Sequence, residues 1–176
     1  MKRGYTIYKS SLLGPIGIVV CDQGVEAIFL KEEHFKAYLE EHSDLRPDEA
    51  LCKKAKEQVE AYFKGERQAF QLEVYTEGTA FQKRVWEGLK QIPYGETLSY
   101  GELARQIGHP KAVRAVGGAN RANPVPLIIP CHRVIGKNGK LVGFMGDQIQ
   151  LKEKLLLHER QYKSSAEINK SSSEIR

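Results

Sequence analysis

The chain has 176 residues, of which 41% are hydrophobic and 28% are charged, a composition typical of one globular domain of moderate size or of two small ones. Its apolar runs are too short to cross a bilayer and its first residues do not form a signal core, so we expect a cytoplasmic protein with no membrane segment. The net charge of +5 divides into −3 over residues 1–78, +5 over 79–135 and +3 over 136–176, which favours a polyanion-binding second half, although a solvated basic surface gives the same count.

The first 78 residues have the pattern of a small α/β unit. Alternating apolar residues predict four strands, at residues 5–8, 16–20, 27–30 and 70–74. One helix is predicted by five apolar positions on a single face, which are Leu51, Ala55, Val59, Tyr62 and Phe63. Gly65 is placed to end that helix. We interpret residues 1–78 as a support domain, in which Cys21, Cys52 and His34 are packing or surface residues rather than ligands.

Residues 79–121 predict three helices. Thr79 and Ser99 each begin a capping-box pattern, and Pro110 can begin the third helix after the turn at Gly108. The second and third helices, joined by a short turn with glycine, have the outline of a helix-turn-helix. In the third helix, Ala112, Val113 and Val116 are predicted to face inward.

A pair of glycines interrupts the predicted third helix. Gly117 and Gly118 would each destabilise a helix interior by about 1 kcal/mol relative to alanine, so something must approach this backbone closely. Nucleic acid beside Lys111, Arg114 and Arg121 is one explanation, and tight packing of another helix is the other. The glycines alone favour neither.

The segment over residues 129–134 contains a thiol, an imidazole and a guanidinium directly after a proline: Pro130-Cys131-His132-Arg133. A thiol attacks as the thiolate, which a neighbouring imidazole and cations favour. A cysteine after an apolar run is more often a small buried hydrophobe, so this segment alone is weak evidence. The chain has three cysteines and no Cys-x-x-Cys pair or zinc-ligand spacing, which predicts free thiols and no metal.

The remaining residues predict a turn, a helix and a tail. Residues 137–140 have turn composition, and Asp147 begins a capping-box pattern followed by the apolar Leu151, Leu155 and Leu156. We expect this helix to end at Glu159. The serine-rich residues 163–176 contain few apolar side chains and are predicted to be disordered.

Six motifs in this order together resemble the O6-alkylguanine-DNA alkyltransferases. They are Tyr94-Gly95-Glu96, Ser99-Tyr100, residues 111–117, Asn123-Pro124, residues 129–134 and residues 152–159. The resemblance covers residues 79–160 almost without gaps, whereas residues 1–78 resemble the variable N-terminal domain of that family only loosely. It implies a ribonuclease H-like α/β domain over residues 1–78 and a mainly α, winged helix-turn-helix-like domain over residues 79–162.

The function implied by this resemblance is direct reversal of DNA damage. The protein would bind double-stranded DNA carrying an alkylated guanine, turn the base out of the stack and take the alkyl group irreversibly onto Cys131. O4-alkylthymine would be a weaker substrate. The resemblance also implies a monomer that needs no metal or cofactor, and one repaired lesion per protein molecule.

The resemblance also assigns roles to individual residues. His132 would act on the thiol through a water, Glu159 would orient the imidazole, and Tyr100 would help to protonate the departing guanine. Asn123 corresponds to a hinge residue and Lys152 to a pocket lysine. The implied DNA-binding residues are Arg114, which fills the gap left by the flipped base, with Tyr100, Ala115, Gly117, Gly118, Arg121 and Arg133. The implied pocket residues are Pro126, Val134, Gly143, Phe144 and Met145.

One segment departs from the family pattern. Where the family has a tyrosine and a glycine pair in the loop after the active site, this chain has Phe144, Met145, Gly146 and Asp147, with one extra residue before Lys152. The range of alkyl groups that fit the pocket is therefore open.

Three other functions remain alternatives. A cysteine hydrolase would also use Cys, His and Glu, but its cysteine and histidine are not expected to be adjacent, and no glycine signal for an oxyanion hole accompanies Cys131. A DNA-binding regulator would use Cys131 only for packing. A non-catalytic sensor of alkylated bases would resemble relatives that lack the acceptor thiol, and this chain retains it.

Overall fold

The computed structural model describes residues 1–136 and 148–174, with side chains described up to residue 163. Two compact units divide the chain: residues 1–80 with 122–129, and residues 81–121 with the chain from residue 130 onward. The division lies close to residue 78, where the sequence places a boundary. The assignment of residues 122–129 to the first unit is not predicted by the sequence, and a hydrogen bond from the Ile28 amide to the Pro124 carbonyl (2.9 Å) helps to hold them there.

The first unit contains a three-stranded antiparallel sheet in the order β1-β2-β3. Its strands are β1 (Arg3–Ser10), β2 (Gly14–Cys21) and β3 (Gly24–Phe29). The first two contain the strands predicted at 5–8 and 16–20, and β3 overlaps the one predicted at 27–30 but begins three residues earlier and ends at residue 29. Residues 16, 18 and 19 of the central strand β2 have no exposed surface, because this strand is flanked by two strands and helices also pack against it. The predicted small sheet with a helix is therefore confirmed.

Two helices accompany this sheet, α1 (Glu32–Glu41) and α2 (Glu49–Phe63). The predicted helix is α2, whose N-terminus is capped by the Asp48 carboxylate accepting from the Leu51 amide at 3.0 Å. Gly65 has a φ of +76°, the left-handed conformation expected of a glycine that ends a helix. Helix α1 is not predicted, because Phe35 is its only buried residue and one residue gives no periodic signal.

The strand predicted over residues 70–74 is wrong. Only Val74 forms a β-bridge, with Val25, and it is isolated. The Gln58 side chain accounts for the difference, since it accepts from the Gln71 amide at 2.9 Å and donates to the Gln71 carbonyl at 3.2 Å. These are the backbone groups that a strand would use in pairing. Cys21 and Cys52 are buried and His34 is exposed, as predicted.

The second unit is mainly helical. Its elements are α3 (Ala80–Lys90), β4 (Leu98–Ser99), α4 (Tyr100–Gln106), α5 (Val113–Arg121), a 3-10 turn (Cys131–Arg133), β5 (Val134–Ile135) and α6 (Gln148–Glu174). Strands β4 and β5 pair in parallel, with Leu98 opposite Val134. The capping box at the start of α4 is confirmed, with both Ser99 and Glu102 making their reciprocal bonds at 3.1 Å. Within the described ranges, no helix is long and apolar enough to cross a membrane.

Two helix boundaries differ from the prediction. Helix α5 begins at Val113 rather than at Pro110, because the Ala112 amide bonds to the His109 carbonyl (3.0 Å) in a turn that delays the helix. Val113 is then 40% exposed, not inward-facing as predicted, whereas Val116 is fully buried.

Helix α6 extends well beyond its predicted end at Glu159, to Glu174. The backbone of residues 163–174 is therefore helical where the sequence predicts disorder. A shortage of apolar side chains argues against packing, but it does not prevent a docked helix from continuing into serine, lysine and glutamate residues. The turn expected at 137–140 and the helix cap expected at Asp147 lie outside the described residues.

Candidate active site

Cys131 lies at the start of the 3-10 turn and only 6% of its surface is exposed. The turn is closed by two backbone bonds, from the Arg133 amide to the Pro130 carbonyl (3.0 Å) and from the Val134 amide to the Cys131 carbonyl. Strand β5 follows at once and pairs with β4, the strand that leads into α4 at Tyr100. The fold therefore fixes the backbone around the thiol from both sides of the turn.

His132 is paired with Glu159, as expected. The imidazole Nε2 lies 2.6 Å from Glu159 Oε2, and the two side chains are 1% and 0% exposed. Since a carboxylate only accepts, Nε2 carries the proton, and Nδ1 is left as the acceptor in the neutral ring. Nδ1 is buried and has no hydrogen-bond partner among the described residues. Burial lowers the pKa of His132 more than the attraction of Glu159 raises it, so the ring is neutral at pH 7.

Arg133 does not lie where the sequence prediction placed it, on a DNA-binding surface. It is 6% exposed, and its guanidinium donates from Nε to Glu159 Oε1 (2.8 Å) and from Nη2 to Glu159 Oε2 (3.0 Å). A third bond runs from Nη1 to the Ile92 carbonyl at 2.8 Å. The tight 3-10 turn directs both His132 and Arg133 toward the same carboxylate of α6, which adjacency in sequence does not reveal.

Glu159 is thus the centre of a buried cluster of charged and polar groups. Besides His132 and Arg133, the Gly95 amide donates to its Oε1 at 3.1 Å. Burial raises the pKa of Glu159, but the hydrogen bonds from His132 and Arg133, together with the positive charge of Arg133, outweigh that effect and hold the pKa well below its usual range. Because the Arg133 and Glu159 charges cancel, the cluster favours a neutral His132.

Lys152 lies on the same face of α6 as Glu159, two turns earlier, and is fully buried. Burial lowers its pKa to about 8, an effect that the negative charge of an ionised Cys131 opposes. Its ammonium Nζ is 5.6 Å from the centre of the Tyr100 ring. A cation coupled in this way to Cys131 favours the thiolate form.

Tyr100, the first residue of α4, is 8% exposed. Burial raises the pKa of its hydroxyl, and so does the charge of an ionised Cys131, so the phenol keeps its proton at neutral pH. Asn120 of α5 donates from Nδ2 to the Tyr100 hydroxyl oxygen at 3.4 Å. Asn120 is absent from the predicted site, although an asparagine four residues after the buried Val116 lies on the inner face of the same helix.

Helix α5 carries the other predicted DNA-binding residues, of which Gly117 is buried and Gly118 is half-buried. Arg114, Ala115 and Arg121 are exposed. A Cβ atom added to Gly118 would have no neighbour within 4 Å, and one added to Gly117 would lie no closer than 3.9 Å to Arg121. Hence no described residue packs tightly onto the two glycines, which removes the support for the helix-packing explanation.

Asn123 shapes the loop that precedes the 3-10 turn. Its side-chain Nδ2 donates to the Ile129 carbonyl (2.7 Å), and its Oδ1 accepts from the Val125 amide (3.0 Å). The buried Leu127 between them has a φ of +76°, which is unfavourable for a residue with a side chain. Asn123 therefore holds a strained segment closed directly before Pro130.

The predicted pocket residues are only partly described. Val134 is fully buried at the start of β5, and Pro126 is half-buried in the loop closed by Asn123. The pocket residues Gly143, Phe144 and Met145 lie outside the described residues. In the part of the chain that the structure describes, no group of three or more His, Cys, Asp or Glu side chains could hold a metal ion.

Two family models match the chain. The ribonuclease-like domain of 6-O-methylguanine DNA methyltransferase matches residues 4–76, and the DNA-binding domain of 6-O-methylguanine DNA methyltransferase matches residues 80–161. The methylated-DNA--protein-cysteine methyltransferase of Methanosarcina acetivorans is 46% identical over 153 residues, which are 86% of this chain and 95% of that protein.

Solved structures agree with these matches. The crystal structure of Mycobacterium tuberculosis O6-methylguanine methyltransferase superposes with a TM-score of 0.82 at 41% identity, covering 92% of this chain and 94% of the other. The crystal structure of Mycobacterium tuberculosis OGT in complex with DNA has a TM-score of 0.79 at 42% identity, covering 90% and 94% respectively.

Proposed function

The chain belongs to the 6-O-methylguanine DNA methyltransferase family, and we propose that it repairs DNA directly by moving the alkyl group of O6-alkylguanine onto the thiol of its own Cys131. One observation carries the assignment of the acceptor. The residue next to Cys131 is a buried, neutral imidazole that Glu159 fixes at Nε2, while Nδ1 has no described partner. A base held in this way can take a thiol proton through one water molecule.

The transfer is a displacement at the alkyl carbon. As the Cys131 thiol loses its proton to His132 Nδ1 through that water, sulfur forms a bond to the carbon and the bond from carbon to guanine O6 breaks. The electron pair of the broken bond goes to the guanine, which takes a proton from the Tyr100 hydroxyl. Proton exchange with solvent then restores Tyr100 and neutral His132. The products are a thioether and guanine, so one molecule repairs one lesion.

Two buried groups support the ionised sulfur during this step. The Lys152 ammonium stabilises negative charge on Cys131, and it retains most of its own charge at pH 7 because its pKa is about 8. Arg133 neutralises Glu159, so the carboxylate orients His132 without making it cationic. A cationic ring would have no lone pair to accept the thiol proton.

Double-stranded DNA is the proposed partner, and α5 is the proposed contact. A relative in the comparison has been crystallised with DNA, and the exposed Arg114 and Arg121 flank the unobstructed Gly118. Small residues on a helix suit close approach to a minor groove, and flipping the damaged base would leave a gap for the Arg114 side chain. We further propose a monomer that acts in the cytoplasm and repairs O4-alkylthymine more weakly.

A regulator or a non-catalytic sensor is not favoured. Neither function requires a neutral imidazole, a buried carboxylate and a buried lysine around the same cysteine. A cysteine hydrolase would need donors for an oxyanion, and the polar groups described around Cys131 instead serve proton transfer and charge balance.

Intact-mass measurement tests the proposed function. The protein is incubated with an excess of duplex DNA carrying one O6-methylguanine, and the expected result is the mass of one methyl group added per protein molecule, found on the Cys131 peptide after digestion. Unmodified DNA is the control. Continued loss of methyl groups from DNA beyond one per protein molecule, or methylation of Cys21 or Cys52 in place of Cys131, would overturn the proposal.

A further inference from the structure

The motif Tyr94-Gly95-Glu96 is one of the six that carry the family resemblance, and the proposed mechanism gives it no task. The Glu96 amide donates to the Pro93 carbonyl at 3.1 Å, which closes a four-residue turn. Gly95 is the third residue of this turn and has a φ of +77°, the conformation that a type II turn requires at its third residue. A residue with a side chain is strained in this conformation, so the backbone here favours glycine.

The same turn contacts the buried charged cluster through two backbone groups. The Gly95 amide donates to Glu159 Oε1 at 3.1 Å, and the Ile92 carbonyl accepts from Arg133 Nη1 at 2.8 Å. The other oxygen of Glu159 is bonded to His132 Nε2. A shift of the turn would therefore disturb the carboxylate that orients the imidazole.

The Lys163 side chain leaves no room for a side chain on Gly95. A Cβ atom added to Gly95 would lie 2.5 Å from Lys163 Cδ, 3.1 Å from its Cβ and 3.3 Å from its Cγ. Lys163 is four residues after Glu159 on α6, so two successive turns of the helix contact Gly95, one through a carboxylate and the other through an aliphatic chain. Because Lys163 Cβ is attached directly to the helix backbone, an added side chain would displace the turn.

We propose that Gly95 is a positioning residue for the alkyl transfer: its bare backbone packs on α6, and its amide holds the Glu159 carboxylate where it orients His132. This inference rests on the proposed function, because it concerns the base that takes the proton of Cys131. A backbone amide has no net charge and no rotatable side chain. It can therefore fix the carboxylate without changing the balance of charge between Arg133 and Glu159.

Gly95→Ala tests this role, and Gly14→Ala is its matched control. Gly14 also has a φ of +77°, but a Cβ atom added to it would have no neighbour within 4 Å. Both substitutions impose the same backbone strain, and only Gly95→Ala displaces a donor from Glu159. At a temperature where both variants are folded, the single-turnover rate of methyl transfer from duplex DNA should fall by about 10-fold in Gly95→Ala and remain at the wild-type value in Gly14→Ala.

Shortening the Lys163 side chain should restore part of the reaction. In the double variant Gly95→Ala with Lys163→Ala, the Cγ and Cδ atoms that the new side chain would meet are absent, so the turn can move back toward Glu159. The transfer rate should exceed that of Gly95→Ala by about 3-fold or more. The backbone strain at position 95 is the same in both variants, so it cannot account for a recovery.

The pH dependence of transfer separates positioning from a loss of stability. With one donor fewer, the Glu159 carboxylate attracts the proton of His132 more strongly, which raises the pKa of the imidazole. The reaction needs the neutral ring, so its decline on acidification should occur at a higher pH in Gly95→Ala than in the wild type or the control variant. Arg133 and Lys152, the cations that lower the pKa of His132, are the same in all these proteins.

The outcomes for Gly95 are distinct from those for the proposed function. The proposed function is wrong if the wild type does not methylate Cys131. If the wild type does, the inference is overturned when Gly95→Ala has the rate and pH dependence of Gly14→Ala, or when Lys163→Ala restores none of the lost rate. If Gly95→Ala does not fold, amide hydrogen exchange of the wild type followed by NMR decides: the Gly95 amide should exchange slowly, and exchange at the rate of an unbonded amide overturns the inference.

Discussion

Replacing Arg133 by methionine should strongly destabilise the protein, because it leaves the Glu159 carboxylate buried without its cation. Arg133 donates two bonds to Glu159, at 2.8 and 3.0 Å, and neither side chain has appreciable exposure. Removal of one partner from a buried ion pair costs about 3 to 5 kcal/mol, a large share of the roughly 5 to 15 kcal/mol that holds a domain folded. Urea denaturation at pH 7 measures this difference.

The pH dependence gives a second, independent measurement. In the wild type the pKa of Glu159 is held below its usual range, so the stability that this provides is present above the unfolded-state pKa and is lost as the pH falls through the folded-state pKa. Without Arg133, the pKa of Glu159 rises and the carboxyl takes up a proton earlier. The stability difference between wild type and Arg133→Met should therefore shrink as the pH falls through the raised folded-state pKa of Glu159 in the variant, because the unfolded carboxyl titrates alike in both proteins and cancels from the difference.

Arg160→Met is the matched control, since Arg160 is the next residue of α6 after Glu159 and is exposed. Its effect should stay within about 0.5 kcal/mol at every pH. The double variant Arg133→Met with Glu159→Leu removes both charges and should recover part of the lost stability. Arg133 does not stabilise the buried Glu159 carboxylate if Arg133→Met is as stable as Arg160→Met at pH 7, or if the loss of stability in Arg133→Met does not depend on pH.

Three further predictions concern the lysine, the helix and the thiol. The pKa of Lys152 is about 8 in the folded state and its ordinary value is 10.5, so between these pH values the native state binds fewer protons than the unfolded state. The free energy of unfolding, measured by urea titration, should therefore rise by about 3 kcal/mol over this pH range relative to that of Lys152→Met. Arg114→Ala should slow the repair of duplex lesions far more than the reaction with a free modified base, since only a duplex leaves a gap to fill; equal losses in the two rate assays would exclude this role. Cys131→Ser should abolish methyl transfer, because a serine hydroxyl ionises poorly, yet retain salt-dependent duplex binding in a fluorescence anisotropy titration.

The features of this fold that depend on residues close together in the sequence could be predicted. The capping box of Ser99 and Glu102 and the cap at Gly65 involve residues a few positions apart, and both occur as expected. The strand expected over residues 70–74 fails because its backbone is bound by the distant Gln58, which a local pattern does not contain.

In the candidate site, too, contacts between residues far apart in the sequence could not be predicted. The sequence places a thiol and an imidazole together, but the direction of the Arg133 side chain depends on Glu159, 26 positions later. Asn120 likewise bonds to Tyr100, which is 20 positions earlier and on another helix. The family resemblance predicts that Glu159 pairs with His132. That Glu159 also pairs with Arg133 is seen only in the structure, where α6 packs on the 3-10 turn.

Because residues 122–129 belong to the first unit, the protein cannot be divided into its two units by one cut of the chain. The chain passes from one unit to the other three times, after residues 80, 121 and 129. A single cut near residue 80 therefore does not release an intact half, because the C-terminal fragment still carries residues 122–129 without the Ile28 amide that bonds to Pro124. The segment left behind is the one that Asn123 closes immediately before Pro130 and Cys131, so the fragment would lack one of the bonds that hold this segment.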